Sequence, residues 1–234
     1  MQVKLVAYTQ PIDASMTAEQ LVAYCARVSN PDNQDNHDTA ENLLRFCMDH
    51  KHWSIFQMVN AVVEIIAPRD IARQFTRHES MVVIESPDAV EVKYDGFDLK
   101  AGGVQEFSQR YSSKIDFISR ELRRQDKKNR QNSINDLPAF TKLECQDQVG
   151  LVQRQSEIAY KVMLDRGVAK ECARVVLPEG LTLSRMYVNG NLRSWLHYLQ
   201  TRLSNGTQKE HRELAEMIKG ELIEIFPVVL GMMD

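Results

Sequence analysis

The sequence predicts a single α/β domain of the α+β kind, spanning residues 1–234, and three observations predict it. Short runs dense in β-branched residues, such as QMVNAVVEIIA at 57–67, alternate with segments whose apolar residues recur at helical spacing. Capping-box patterns stand at Thr17 to Gln20 and Asp38 to Glu41. No repeat, low-complexity tract or linker interrupts the 234 residues, a length one large domain can fill.

Val3 to Thr9 reads as a first strand. The Thr17 capping box opens a helix to about Val28, and the Asp38 pattern opens a second through Cys47, with the polar, turn-rich NPDNQDNHD between them. Gln57 to Ala67 reads as a buried strand. Pro68 follows at a first-turn position that needs no N–H donor, and Ile71, Ala72 and Phe75 continue at helical spacing through His78. Met81 to Ile84 and Val90 to Val92 read as short strands, with YDGFDLKAGG as a turn-rich segment after them. NSINDLP reads as a loop. Thr141 or Glu144 to about Arg166 reads as a long helix ended by Gly167. A short helix covers Lys170 to Leu177, Met186 to Val188 reads as a strand, and Asn191 to Leu203 and Gln208 to Phe226 are the last helices.

The chain is 43% hydrophobic and 26% charged with net charge −3, the balance of a soluble globular protein. A slightly acidic chain gives no global case for nucleic acid or membrane binding. No apolar run reaches the length of a membrane span, and MQVKLVAYTQ is too strand-like for a signal peptide. Cys25, Cys47, Cys145 and Cys172 form no CxxC pair and are expected as buried free thiols, which suits a reducing cytoplasm.

Several basic residues sit in apolar company. Arg73 and Arg77 lie one helical turn apart, Arg174 sits in CARVVLP, and Arg193 and Arg202 flank SWLHYLQT. A half-buried arginine needs an ion-pair partner or a bound anion. With 32 acidic residues, an ordinary ion pair is open for each; several together point to a phosphate-bearing ligand, whose geometry the guanidinium fork matches. Arg77 and His78, in QFTRHESMVV, are either half of such a site or a solvated helix end. In QEFSQR, Glu106, Ser108 and Arg110 alternate, so an extended segment would present them to one side, as a cradle or as the wet face of a strand. The basic run Arg120 to Arg130 is either a solvated face or an attractor for an anionic substrate. There is no GxSxG elbow, GxGxxG loop, GxxxxGK[ST] loop or HExxH pattern, and His50 and His52 in HKHW lack a zinc spacing.

Taken in order, HKHWSIFQM, ARQFTRH, QEFSQRYS, AKECARVVLP, NGNLRSWLHYLQTR and NGTQKEHRE resemble the flavin-dependent thymidylate synthases, especially the viral and bacterial branch, from about Ala26 to Phe226. The resemblance implies an α/β fold with a mostly antiparallel central sheet flanked by helices. It implies methylation of dUMP to dTMP, with 5,10-methylenetetrahydrofolate as one-carbon donor and NADPH as reductant acting through FAD. It implies a homotetramer with sites shared between subunits, in the cytoplasm of a bacterium or a virus-infected host. It places Gln74, Arg77, Glu106, Ser108, Gln109, Arg110, Arg174 and Arg202 on dUMP. It places Ser54, Arg77, His78, Glu106, Asn191, Arg193 and His197 on FAD, with no metal. Arg202 matches the catalytic arginine that polarises the uracil.

Two departures stand out. The third position of the family's Arg-His-Arg motif is Glu79, and an inserted segment at about 85–103 separates it from QEFSQR. Two readings are open: Lys93 or Lys100 from the insertion supplies the missing charge, or the insertion displaces Glu79 from the site. A third outcome is a catalytically weak or inactive nucleotide-binding homologue with a regulatory or binding role.

Overall fold

The computed structural model describes residues 1–86, 89–98 and 103–233, with backbone alone over 79–86 and 89–98. The side chains of Glu79 and Lys93, and all of Lys100, lie outside the described residues.

The first half of the chain forms β1 (Gln2–Tyr8), α1 (Ala18–Ala26), α2 (Ala40–Asp49), β2 (Asn60–Pro68), α3 (Arg69–Thr76), β3 (Glu79–Ser86), β4 (Ala89–Asp98) and β5 (Val104–Glu106). The second half forms β6 (Arg124–Gln125), β7 (Ser133–Ile134), α4 (Ala139–Asp165), α5 (Lys170–Ala173), β8 (Leu183–Asn191), α6 (Leu192–Arg202), α7 (Lys209–Ile223) and α8 (Pro227–Gly231). One sheet has the order β1-β2-β8-β5.

Its neighbours run antiparallel. The Leu192 amide donates to the Val59 carbonyl at one end of the β2–β8 pair, and the Arg69 amide to the Thr182 carbonyl at the other, both at 2.9 Å. Phe107 to Arg185 (2.8 Å) and Asn189 to Gly103 (3.0 Å) bracket the β5–β8 pair, while the Thr9 amide, just past β1, reaches Asn60 at the start of β2 (2.9 Å). Burial alternates along β2, with Ala61, Val63, Ile65 and Ala67 inward; Met186 and Val188 do the same on β8. The other face is mixed, with Val62 and Ile66 beside Glu64 and Tyr187, whose hydroxyl donates to Glu64 (3.2 Å). β3 and β4 form a separate antiparallel hairpin, with Ile84 opposite Glu91.

The chain divides into two compact units. The first comprises Met1–Ile65, Phe75–Gln105 and Met186–Asp234. Its core centres on α6, where Leu192, Trp195, Leu196, Tyr198 and Leu199 are all buried. Asn191 caps this helix, its Oδ1 accepting from the Ser194 amide (2.9 Å) and hydroxyl (3.0 Å). The Trp195 indole donates to the carbonyls of Ala61 and Gly190, which fixes α6 on β2. Two carboxylates accept from backbone amides distant in sequence: Glu221 from Leu5 (2.7 Å), and buried Glu19 from Val228 and Val229 at the start of α8. The Thr17 capping box is present at α1.

The second unit comprises Ile66–Gln74 and Glu106–Arg185. The long α4 ends in a Schellman arrangement: Gly167 has φ +79°, its amide donates to Leu164, and the Val168 amide donates to Met163. Of the 27 residues of α4 only Tyr160 is buried.

The structure corrects several expectations. Gln57 closes a 3-10 turn over Trp53–Gln57, so the strand begins at Asn60. The Asp38 pattern forms no capping hydrogen bond; a 3-10 turn occupies His37–Thr39, and α2 starts at Ala40. YDGF belongs to β4 and not to a turn. Part of NSINDLP is strand, pairing with the basic run. Cys145 and Cys172 are exposed and only Cys47 is buried, because α4 and α5 carry the first two on outward faces.

Candidate active site

The first question is where the arginines find their counter-charge. Arg73 lies 3.3 Å from Glu179 and 3.9 Å from Glu106. Arg110 lies 3.3 Å from Glu171. In the basic run, Arg120 pairs with Asp70 (2.8 Å), Arg123 with Glu121 (3.0 Å) and Arg124 with Asp136 (2.5 Å), so these three are structural ion pairs. Among the described residues, exposed Arg77 and half-buried Arg174 and Arg202 have no carboxylate partner. Arg202 is the extreme case: its Nε is buried without a hydrogen-bond partner among the described residues. A half-buried guanidinium in that condition is chemically suited to an anion.

In the first unit, α6 carries Arg193 and His197 and is capped by Asn191, three of the expected flavin residues. His197 rests against Trp53 at 4.9 Å between ring centroids, which brings the 3-10 turn carrying exposed Ser54 beside the helix. Phe75 packs on Tyr198 at 4.9 Å and so anchors the chain two residues before Arg77. His78 is 5% exposed and meets Tyr198 edge-on at 5.4 Å, so it is not a solvated helix end. Asn191 spends its Oδ1 on the cap of α6. Arg193 is buried. Burial and the positive charges of Arg202 and then His78 push the His211 pKa down to about 4. Burial also raises the Tyr198 phenol far above its ordinary value, with Arg202 opposing.

In the second unit, Glu106 accepts from the Ser184 hydroxyl (2.7 Å) and lies 3.6 Å from Arg69. The expected alternation in QEFSQR fails after Phe107. The chain turns, with the Arg110 amide donating to Ser108 Oγ (3.3 Å) and the Tyr111 amide to the Ser108 carbonyl (3.2 Å). Gln109 is thereby buried and Arg110 exposed. Arg110 to Glu171, and Lys170 Nζ to the Tyr111 carbonyl (3.1 Å), dock this turn on α5, immediately before Arg174. Gln74 closes the unit's α3 segment. A small cavity of about 190 Å³ lies beside Phe107, Ser184 and Arg185. Tyr198 and His211 were not singled out as site residues, although Tyr198 stands one helical turn before Arg202 and His211 lies inside NGTQKEHRE.

A family model described as thymidylate synthase complementing protein matches residues 4–228. The chain belongs to this family. A probable flavin-dependent thymidylate synthase of Paramecium bursaria Chlorella virus 1 is 39% identical over 236 residues, covering 100% of this chain and 99% of the relative. A flavin-dependent thymidylate synthase of Synechocystis is 40% identical over 238 residues, with full coverage of both. Among solved structures, a UMP/dUMP methylase, PolB from Streptomyces cacaoi bound with 5-Br dUMP, superposes with a TM-score of 0.74. It is 21% identical and covers 98% of this chain and 93% of that one, a likeness of fold. Membership of the thymidylate synthase complementing protein family agrees with the resemblance carried by the ordered motif blocks.

Proposed function

We propose that the protein is a flavin-dependent thymidylate synthase that methylates dUMP to dTMP, with 5,10-methylenetetrahydrofolate as methylene donor and NADPH as reductant. The observation that carries the reading is Arg202, half-buried, with Nε buried and no carboxylate partner among the described residues. Full-length relatives of the same named activity support it.

Arg174 and Arg77 bind the nucleotide's anionic end, with Gln74, Ser108, Gln109 and Arg110 orienting it; Glu106 is held for its contact by Ser184 and Arg69. Arg202 stabilises negative charge that develops on the pyrimidine. Ser54, Arg77, His78, Asn191, Arg193 and His197 hold FAD, for which the Nδ2 of Asn191 and the arginine charges are suitable donors. When bound, FAD supplies the hydride chemistry, so the chain contributes binding, orientation and charge. No cysteine nucleophile takes part.

The same reading covers assembly. Phe140, Leu143, Leu151, Ile158 and Val162 are all exposed, and they recur on one face of α4. Such a stripe suits another copy of the chain in a homotetramer, with sites shared between subunits. The described residues include no helix long and apolar enough to cross a membrane, and we place the enzyme in the cytoplasm as one functional domain.

Purified protein given FAD, NADPH, methylenetetrahydrofolate and 5-tritiated dUMP should be yellow and release tritium. Protein that neither binds FAD nor releases tritium would overturn the reading.

A further inference from the structure

The basic run leaves three cations unaccounted for. Arg120, Arg123 and Arg124 are engaged in ion pairs. Lys127, Lys128 and Arg130 are exposed and have no carboxylate partner among the described residues. All three stand on the turn that joins β6 to β7, just beyond the pair Gln125 and Ser133. The turn belongs to the second unit, which also carries Ser108, Arg110 and Arg174.

The turn is built to hold its shape. The Asp126 amide donates to the Asn132 carbonyl (3.1 Å), and the Asn132 amide to the Asn129 carbonyl (3.0 Å). Asp126 Oδ1 accepts from the amides of Lys128 (2.8 Å) and Asn129 (3.3 Å), and its Oδ2 accepts from Asn132 Nδ2 (3.0 Å). Gln125 Nε2 lies within 3.3 Å of the carbonyls of Asp126, Asn129, Arg130 and Asn132. The one carboxylate of the turn is thus engaged in holding the loop, and the backbone under the three cations is fixed. Charge carried on an ordered backbone loses less freedom on binding than charge on a loose loop.

We propose that this turn is a docking point for an oligo-γ-glutamate tail, the anionic chain that folate coenzymes carry. The inference rests on the reading of methylenetetrahydrofolate as the methylene donor and deepens it by giving the tail a place. The chemistry of the turn selects this partner. Each γ-glutamyl unit adds one carboxylate to a flexible chain, so several carboxylates can meet several lysine and arginine heads in succession. Residues 126–132, DKKNRQN, contain no aromatic and no apolar side chain. A single-stranded nucleic acid would lack the stacking surface that such ligands use. The chain's net charge of −3 also disfavours a long polyphosphate. Exposed charge contacts are weak singly, about a factor of two each, so three acting on one tail give a preference on the order of tenfold. Salt screens that preference away.

The test uses the full chain and the triple variant Lys127→Gln, Lys128→Gln, Arg130→Gln, assayed with methylenetetrahydrofolate bearing one glutamate or five. In the parent at low salt, the KM for the five-glutamate form should be about tenfold below that for the one-glutamate form. The difference should vanish at about 0.5 M salt. The triple variant should lose the difference, with the turnover number and the one-glutamate KM unchanged. Equal KM values in the parent, or a difference that survives in the triple variant, would overturn the proposal. Binding of the peptide tetra-γ-glutamate, followed by amide NMR of the full chain, gives a readout that needs no turnover. Shifts concentrated at residues 126–132 support the proposal; shifts elsewhere, or none, overturn it. A single-stranded oligothymidylate held at the turn more tightly than the peptide overturns it as well. If the parent chain releases no tritium, the function reading fails, and peptide binding alone decides the role of the turn.

Discussion

Arginines in apolar surroundings are visible in a sequence, but their partners are not, because a partner can come from anywhere in the chain. Arg110 and Glu171 are far apart in sequence and 3.3 Å apart in the fold. Arg73 and Glu179 are further apart still, and also 3.3 Å apart. The structure gives those arginines a carboxylate neighbour, and among the described residues Arg77, Arg174 and Arg202 have none. Arg202→Ala should cut turnover by roughly a hundredfold while the melting temperature stays close to the parent's, as measured by tritium release and calorimetry. Arg174→Ala should weaken dUMP binding by about 1–3 kcal/mol, measurable by titration calorimetry. His211 also gives stability a pH dependence. Its folded pKa is about 4 against 6.5 for an ordinary histidine, so the unfolded chain takes up the proton first. The stability it contributes is complete above pH 6.5 and is lost as pH falls toward 4. The loss is on the order of 3 kcal/mol. Chemical denaturation should show that loss, and His211→Leu should abolish it.

At the level of elements, periodicity located most segments and misjudged those where side chains compete with the backbone. α6 was legible because Leu192, Trp195, Leu196 and Leu199 repeat at helical spacing, and the structure buries all of them. The Asp38 pattern has the residues of a capping box, yet the chain enters α2 through a 3-10 turn and Thr39 makes no cap. Alternation in QEFSQR suggests an extended segment, either a cradle or the wet face of a strand; the Ser108 hydroxyl and carbonyl instead accept backbone amides and turn the chain. Gly167 is legible as the end of α4, since only a residue tolerant of φ +79° fits its Schellman arrangement. Gly167→Ala should destabilise the protein by about 1 kcal/mol, seen as a lowered denaturation midpoint. Glu19 had no sequence signal, because the amides it serves, those of Val228 and Val229, lie at the opposite end of the chain. Glu19→Ala should cost about 1–2 kcal/mol by leaving those two amides unserved, again read from denaturation.

For the molecule as a whole, the fold class and sheet character were legible through the ordered motif blocks, whereas the division into two compact units was not, since each unit is assembled from separated stretches of chain. The exposed stripe on α4 bears on the proposed assembly. Leu151→Glu combined with Ile158→Glu should shift the protein toward monomers in sedimentation, and should reduce bound flavin if subunits share the site. A 27-residue helix with one buried side chain has little within its own chain to hold it. If neighbouring copies supply that packing, order in α4 follows mass action. Diluting the protein would then fray α4 and loosen the adjoining α5, which docks the turn bearing Arg110. Specific activity would fall with dilution, and the melting temperature would rise with protein concentration.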